Sequence, residues 1–121
     1  MKHLVNWNVN GIRSIVKKYF VENINRLAPD VLCLQETKAA AEEVRSALTL
    51  FPDYHVYVNS SKARKGYSGT AILSKDEPLQ ISYDIGIEEF DQEGRVMTAE
   101  YPTLFLTTVY TQNAGEGLAR L

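Results

Sequence analysis

Hydrophobic positions change their period part way along this chain. His3 to Trp7 reads as a short buried strand, closed by the turn signal Asn10-Gly11. Ile12, Ile15, Val16, Tyr19, Phe20, Ile24 and Leu27 then recur at helical spacing, and Pro29-Asp30 ends that helix. Val31 to Gln35 is almost continuously apolar, as expected of a strand covered on both faces. Ala39 to Leu50, rich in Ala, Glu and Leu, predicts a second helix that stops before Pro52. Beyond it, β-branched and aromatic runs predict strands at Tyr54 to Val58, Thr70 to Ser74, Leu79 to Ile85, Arg95 to Tyr101 and Leu104 to Tyr110, the last two joined by a tight hairpin at Pro102-Thr103. A βαβα opening followed by strands on short loops predicts an α/β fold, one mixed β-sheet with helices on one face. The other face has nothing left in the sequence to cover it.

Composition narrows the class without naming a function. A chain of 121 residues with 45% hydrophobic and 23% charged positions is enough for one domain, burying roughly two-thirds of its unfolded surface. No apolar run approaches the ~20 residues of a membrane helix, and Met1-Lys2-His3 leads into a strand rather than a signal peptide. The single Cys33 lies inside an apolar strand, which excludes an internal disulfide and fits a buried, inert thiol in a reducing, cytoplasmic setting. His3 and His55 have no triad or metal partner at recognisable spacing. Net charge is −2, but from Ser60 to Lys75 the charges are Lys62, Arg64, Lys65 and Lys75 with no acid, whereas Asp76 to Glu100 carries eight acids and only Arg95. Such a basic loop can meet phosphate despite the overall sign; an ordinary solvated loop has the same composition.

Candidate chemistry gathers where strands end. Trp7-Asn8-Val9-Asn10-Gly11 and Leu34-Gln35-Glu36-Thr37-Lys38 each close a predicted strand, with one crossover helix between them. That arrangement places Asn8, Asn10 and Glu36 on the same edge of a sheet, and oxygen-only side chains there suit a hard cation such as Mg²⁺. The competing reading is a plain Asn-Gly turn with Glu36 capping the following helix. In Gly66-Tyr67-Ser68-Gly69-Thr70, two glycines can hold Tyr67 exposed at a strand start beside the basic loop; a core tyrosine is the alternative. Asp91-Gln92-Glu93-Gly94-Arg95-Val96 delivers Arg95 to a strand, either toward a ligand or as an ion-pair partner of Glu93 or Asp91. Tyr110-Thr111-Gln112-Asn113-Ala114-Gly115 puts a phenol and an amide where they can orient a phosphate or developing oxyanion.

These five segments, in this order, resemble the exodeoxyribonuclease III and abasic-site endonuclease family of the wider endonuclease/exonuclease/phosphatase superfamily. The resemblance runs from about Lys2 to Leu121 and implies half of a four-layer α/β sandwich. It implies that Glu36 ligates Mg²⁺, with Mn²⁺ able to substitute, beside Asn8 and Asn10, and that Asn10, where many relatives have Asp, leaves a second metal less firmly held. It implies Tyr110 and Asn113 in catalysis, and Lys38, Arg64, Lys65, Tyr67 and Arg95 facing double-stranded DNA with abasic sites or 3′ ends. Gln112 departs from the usual Pro and loosens that loop, and Glu116 weakens phosphate attraction nearby. The family's second half contributes an Asp-x-Asn segment and an Asp-His pair, which this sequence lacks. The chain is therefore expected to be an N-terminal half, inactive alone, that needs a complementary chain or self-associates through its uncovered sheet face. Two other readings are a half that works only with such a partner, and a phosphatase or phosphodiesterase of the same superfamily, which shares Glu36 but not the Gly66–Gly69 and Asp91–Arg95 signatures.

Overall fold

A computed structural model describes residues 3–63, 66–86 and 91–111. In chain order these form β1 (Leu4–Asn8), α1 (Ile12–Ile15), α2 (Phe20–Leu27), β2 (Val31–Gln35), α3 (Ala41–Leu48), β3 (His55–Asn59), β4 (Thr70–Ser74), β5 (Gln80–Tyr83), β6 (Val96–Glu100) and β7 (Phe105–Val109). Strands β1 and β2 run parallel, and β4 then pairs antiparallel with both β2 and β3, giving a mixed sheet of order β1-β2-β4-β3. Strands β5, β6 and β7 form a separate antiparallel sheet in that order. Among the described residues no helix is long and apolar enough to cross a membrane.

Strand alternation divides the apolar side chains between two cores. Leu32, Leu34, Ala71, Leu73 and Val58 point from the four-stranded sheet toward Ile12, Phe20, Ile24, Val44, Leu48 and Phe51 of the helical layer. The rings of Trp7, Phe20, Phe51 and Tyr54 are in contact in succession there, with centroids 5.2, 5.7 and 6.4 Å apart, spacings at which offset and edge-on pairs are favourable. The opposite face carries Val31, Cys33 and Ile72, covered by Met97 and Ala99 of β6 and by Tyr101 just beyond it. The Tyr101 phenol reaches across to Ser74 Oγ at 2.8 Å.

The α/β reading holds, but three expectations need correction. Not all strands join one sheet: β5–β7 fold back over the inner face of the first sheet, so the face thought bare is covered by this chain's own β6. What stays open is the outer side of β7, where Phe105 is 70% exposed and Val109 also faces water. β1 is an edge strand rather than a buried one, so Leu4, Asn6 and Asn8 are exposed in alternation with half-buried Val5 and Trp7. The helix expected over 12–27 is two helices. The turn between them is tightened by Lys17 N–H bonding Ser14 O and Lys18 N–H bonding Ile15 O, and Tyr19 lies in solvent while Phe20 enters the core.

Candidate active site at the strand ends

The site begins in the backbone. Where β1 and β2 end, the two chains continue side by side: the N–H groups of Val9, Gly11 and Ile12 donate to the carbonyls of Gln35, Glu36 and Thr37 at 3.0, 2.7 and 2.9 Å. On the other flank, Thr37 and Lys38 N–H bond the carbonyls of Gly69 and Ser68 at 3.2 and 2.8 Å. Residues 36–38 are thus held between two loops. That support matters because Asn10, Glu36, Lys38 and Ser68 all adopt left-handed conformations, with φ of 47°, 57°, 52° and 54°. Such residues persist only where their surroundings over-determine them. Gly69 is required by close approach, since a Cβ there would lie 2.2 Å from Thr37 Oγ1. The alternative role of Glu36 as a helix cap is excluded. Helix α3 starts at Ala41, and the Ala40 N–H bonds Glu43 Oε1 instead.

Side chains from three strand ends then converge. Lys38 Nζ donates to Asn10 Oδ1 at 2.7 Å and lies 3.6 Å from Glu36 Oε1. Asn8, at the end of β1, turns its Oδ1 back to accept from the Asn10 N–H at 3.0 Å. The Tyr110 phenol, just past β7, lies near enough to Glu36 to feel it: its pKa is raised by burial first, then by the charge of Glu36 and hydrogen bonding toward it, with Arg95 opposing.

Arg95 ties the neighbouring aromatics together. Its guanidinium lies 5.1 Å from the Tyr110 ring centre and 5.8 Å from that of Tyr67, within cation–π range. Its Nη1 donates to the Tyr110 carbonyl and its Nη2 to the Tyr67 hydroxyl, both at 3.4 Å, and it pairs with Glu93. With its side chain 14% exposed, Arg95 acts here as a brace between Tyr67 and Tyr110. Of the two roles open from sequence, the ion pair with Glu93 is the one observed.

The structure therefore gathers Glu36, Asn10, Lys38 and Tyr110 around one carboxylate, with Asn8 beside them and Tyr67 linked through Arg95. Arg64, Lys65 and Asn113 lie outside the described residues, as do Gln112 and Glu116. Lys62 of the basic loop is paired with Asp84 Oδ2 at 2.6 Å, an acid from beyond β5, and Asp84 Oδ1 accepts from Asn59 Nδ2 at 2.7 Å. The sequence reading missed this contact, and also missed Gln35 and Thr108 beneath the site. The available signal was a lone amide closing an otherwise apolar buried strand.

The donor set, one carboxylate oxygen pair and two amide oxygens, matches a hard divalent cation in kind. The Lys38 ammonium already bridges Asn10 and Glu36, so this pair accepts positive charge. Among the described residues no three His, Cys, Asp or Glu side chains gather, so these groups make up part of the about six oxygens that such a cation takes.

An α/β scaffold with an oxygen-lined edge where parallel strands end defines the class. Residues 5–119 match the model of the endonuclease/exonuclease/phosphatase family. The chain is 50% identical over 120 residues to an exodeoxyribonuclease of Bacillus subtilis, covering 98% of this chain and 46% of that protein. It is 49% identical over 119 residues to the DNA repair nuclease APEX1 of Danio rerio, covering 98% of this chain and 38% of the relative. An AP endonuclease structure from Archaeoglobus fulgidus superposes with a TM-score of 0.76 at 31% identity, over 91% of this chain and 41% of that one. The chain belongs to the endonuclease/exonuclease/phosphatase family. It spans less than half the length of these relatives.

Proposed function

We propose that this chain is the N-terminal half of a Mg²⁺-dependent DNA repair nuclease that cuts 5′ to abasic sites or trims 3′ ends of duplex DNA, with Mn²⁺ able to replace Mg²⁺. The observation that supports it most is the convergence of Asn10, Glu36 and Tyr110 from three strand ends on one edge. Glu36 is the main anchor for the cation, assisted by Asn10 and Asn8. A divalent ion held there supplies Lewis-acid polarisation of a phosphoryl oxygen. Tyr110 offers a hydrogen bond to phosphate, kept in place by Arg95, and Asn113 serves the same site. Lys38, Arg64, Lys65 and Tyr67 meet the DNA backbone, with Arg95 contributing through the tyrosines it holds.

Hydrolysis also needs a general base, and Glu36 cannot hold a cation and serve as that base at once. The 121-residue chain alone is therefore inactive in this reading. Its partner, a complementary half or a second copy, docks along β1 and β7, which are edge strands among the described residues and expose Leu4, Phe105 and Val109. Mn²⁺ titration of wild type and Glu36→Gln tests the anchor; equal affinity removes it. Duplex binding across a salt series tests the basic loop: Arg64→Glu with Lys65→Glu should flatten the slope, and an unchanged slope returns the loop to ordinary surface. Light scattering of the chain with and without the C-terminal half of the Bacillus subtilis exodeoxyribonuclease tests the partner. A soluble, cooperatively folding monomer indifferent to that half would refute docking.

A further inference from the structure

Residues facing the interior between the two sheets are apolar over most of the interface but polar at one end. Strand register places Asn8, Gln35, Thr70 and Asn59 in one row across β1, β2, β4 and β3. The buried members of that row reach β6 and the turn leading into it: Thr70 Oγ1 donates to Gly94 O at 3.0 Å, and Asn59 Nδ2 to Val96 O at 3.0 Å. Gln35, 5% exposed, does more. Its Nε2 donates to Asn6 Oδ1 on β1 and to Thr108 Oγ1 on β7, the latter at 2.9 Å. Thr108 is buried in turn.

The strands joined by this carboxamide are the three that end in the site. Asn6 precedes Asn8 by two residues, Gln35 precedes Glu36 by one, and Thr108 precedes Tyr110 by two. Strand β7 belongs to the other sheet, so no β-ladder sets its position against β2. A buried amide costs stability unless bonded, and an apolar side chain of similar size would fill the same space. What the amide adds is direction: two donors at a fixed angle specify where β1 and β7 lie relative to β2. It also anchors the residue just before Glu36, whose left-handed backbone needs external support.

We propose that Gln35 is a positioning residue, whose carboxamide sets Tyr110 and Asn8 against Glu36 and so fixes the geometry of the cation site; the last clause rests on the function proposed above. Gln35→Met alone leaves Thr108 short of a partner and is expected to lower stability. Gln35→Met/Thr108→Val replaces both ends of the bond with apolar groups and is expected to regain most of that loss. Two readouts follow on the folded double variant. Nuclear Overhauser contacts between the Tyr110 ring and the Glu36 side chain, measured without metal, should weaken or vanish. Mn²⁺ affinity should stay at least about tenfold below wild type, the usual effect of removing a group that orients a ligand. Restored stability with wild-type contacts and wild-type Mn²⁺ affinity overturns the proposal. Loss of the Tyr110–Glu36 contacts in the double variant, with Mn²⁺ binding indifferent to Glu36→Gln, would instead sustain the positioning role and reject Glu36 as the anchor.

Discussion

Lys38 offers the sharpest test of the site, because its ammonium sits where a cation would. Its Nζ lies 3.6 Å from Glu36 Oε1 and bonds Asn10 Oδ1 at 2.7 Å, so a divalent ion using both oxygens has to displace it. Coulomb's law puts unit charges at that separation at about 1 kcal/mol in a water-like dielectric and several times more at an effective dielectric of about 20. The Lys38 side chain is 39% exposed and that of Glu36 19%, so the lower figure applies, reduced by solvent screening and by the entropy of pinning a long side chain to about 0.5–1 kcal/mol. Lys38→Met should therefore tighten Mn²⁺ binding roughly two- to fivefold, as read by electron paramagnetic resonance of the free ion. The gain should shrink as ionic strength rises, since both groups touch solvent. On the function proposed above, duplex binding should move the opposite way, because the same substitution removes a charge proposed to meet phosphate. Mn²⁺ binding that is weaker than or equal to wild type would refute the displacement argument and leave Lys38 as a strut that orients Asn10.

Three further outcomes follow from particular contacts. Asp84 has φ 71° and holds Asn59 and Lys62, so Asp84→Ala should cost about 1 kcal/mol more than Asp84→Gly in urea unfolding, glycine being free of the left-handed penalty; equal losses would refute strain at that position. Gly94→Ala should cost more than about 3 kcal/mol, because a Cβ would lie 2.4 Å from Asn59 O and 2.7 Å from Ser60 C, backbone atoms that cannot swing away; a loss under about 1 kcal/mol in the same assay contradicts the packing. Burial pushes the Cys33 thiol up from 9.0 to about 11, with the Thr108 hydrogen bond opposing. The folded state then keeps a proton that the unfolded chain loses, so this contribution is intact below pH 9 and disappears as pH climbs through 11. Its slope is at most about 1.4 kcal/mol per pH unit, and Cys33→Ala should flatten the alkaline stability curve over that window.

Much of this fold was legible because local pattern and tertiary role agree. Ala71–Leu73 and Val31–Leu34 are continuous apolar runs, and both lie in central strands buried on two faces. The placing of Asn10 and Glu36 at one sheet edge followed from two parallel strands joined by a helical crossover. Misreadings arose where neighbours outside the segment decide. Leu4 looks like core but is exposed, because among the described residues β1 has a partner on one side only, whereas half-buried Trp7 does pack on the core against Phe20. Residues 12–27 keep a helical period across a turn, because Val16 and Phe20 pack inward on both sides of the break. No sequence rule told β5–β7 to leave the first ladder and cover it. Arg95 is legible as chemistry but not as orientation: a guanidinium beside Glu93 and two tyrosines is drawn inward by partners that lie 28 and 15 residues away in the chain.

The uneven interior also bears on where a site can form. At one end of the sandwich, Val31, Cys33 and Ile72 meet Met97, Ala99 and Tyr101 in apolar contact that tolerates small slips without losing a specific bond. At the other, the Asn8-Gln35-Thr70-Asn59 row is held by directed hydrogen bonds that tolerate little displacement. Asn10, Glu36, Lys38, Ser68 and Asp84, all with positive φ, sit at or beside this second end, while among the described non-glycine residues only Ala28 lies elsewhere. Each costs about 1 kcal/mol in isolation, so the cluster persists only because the apolar end supplies stability and the polar row supplies direction. Strain gathered beside a carboxylate, an ammonium and a phenol is the arrangement expected where backbone is shaped for a ligand rather than for packing. The polar row is what allows that shaping to survive in a chain of this size.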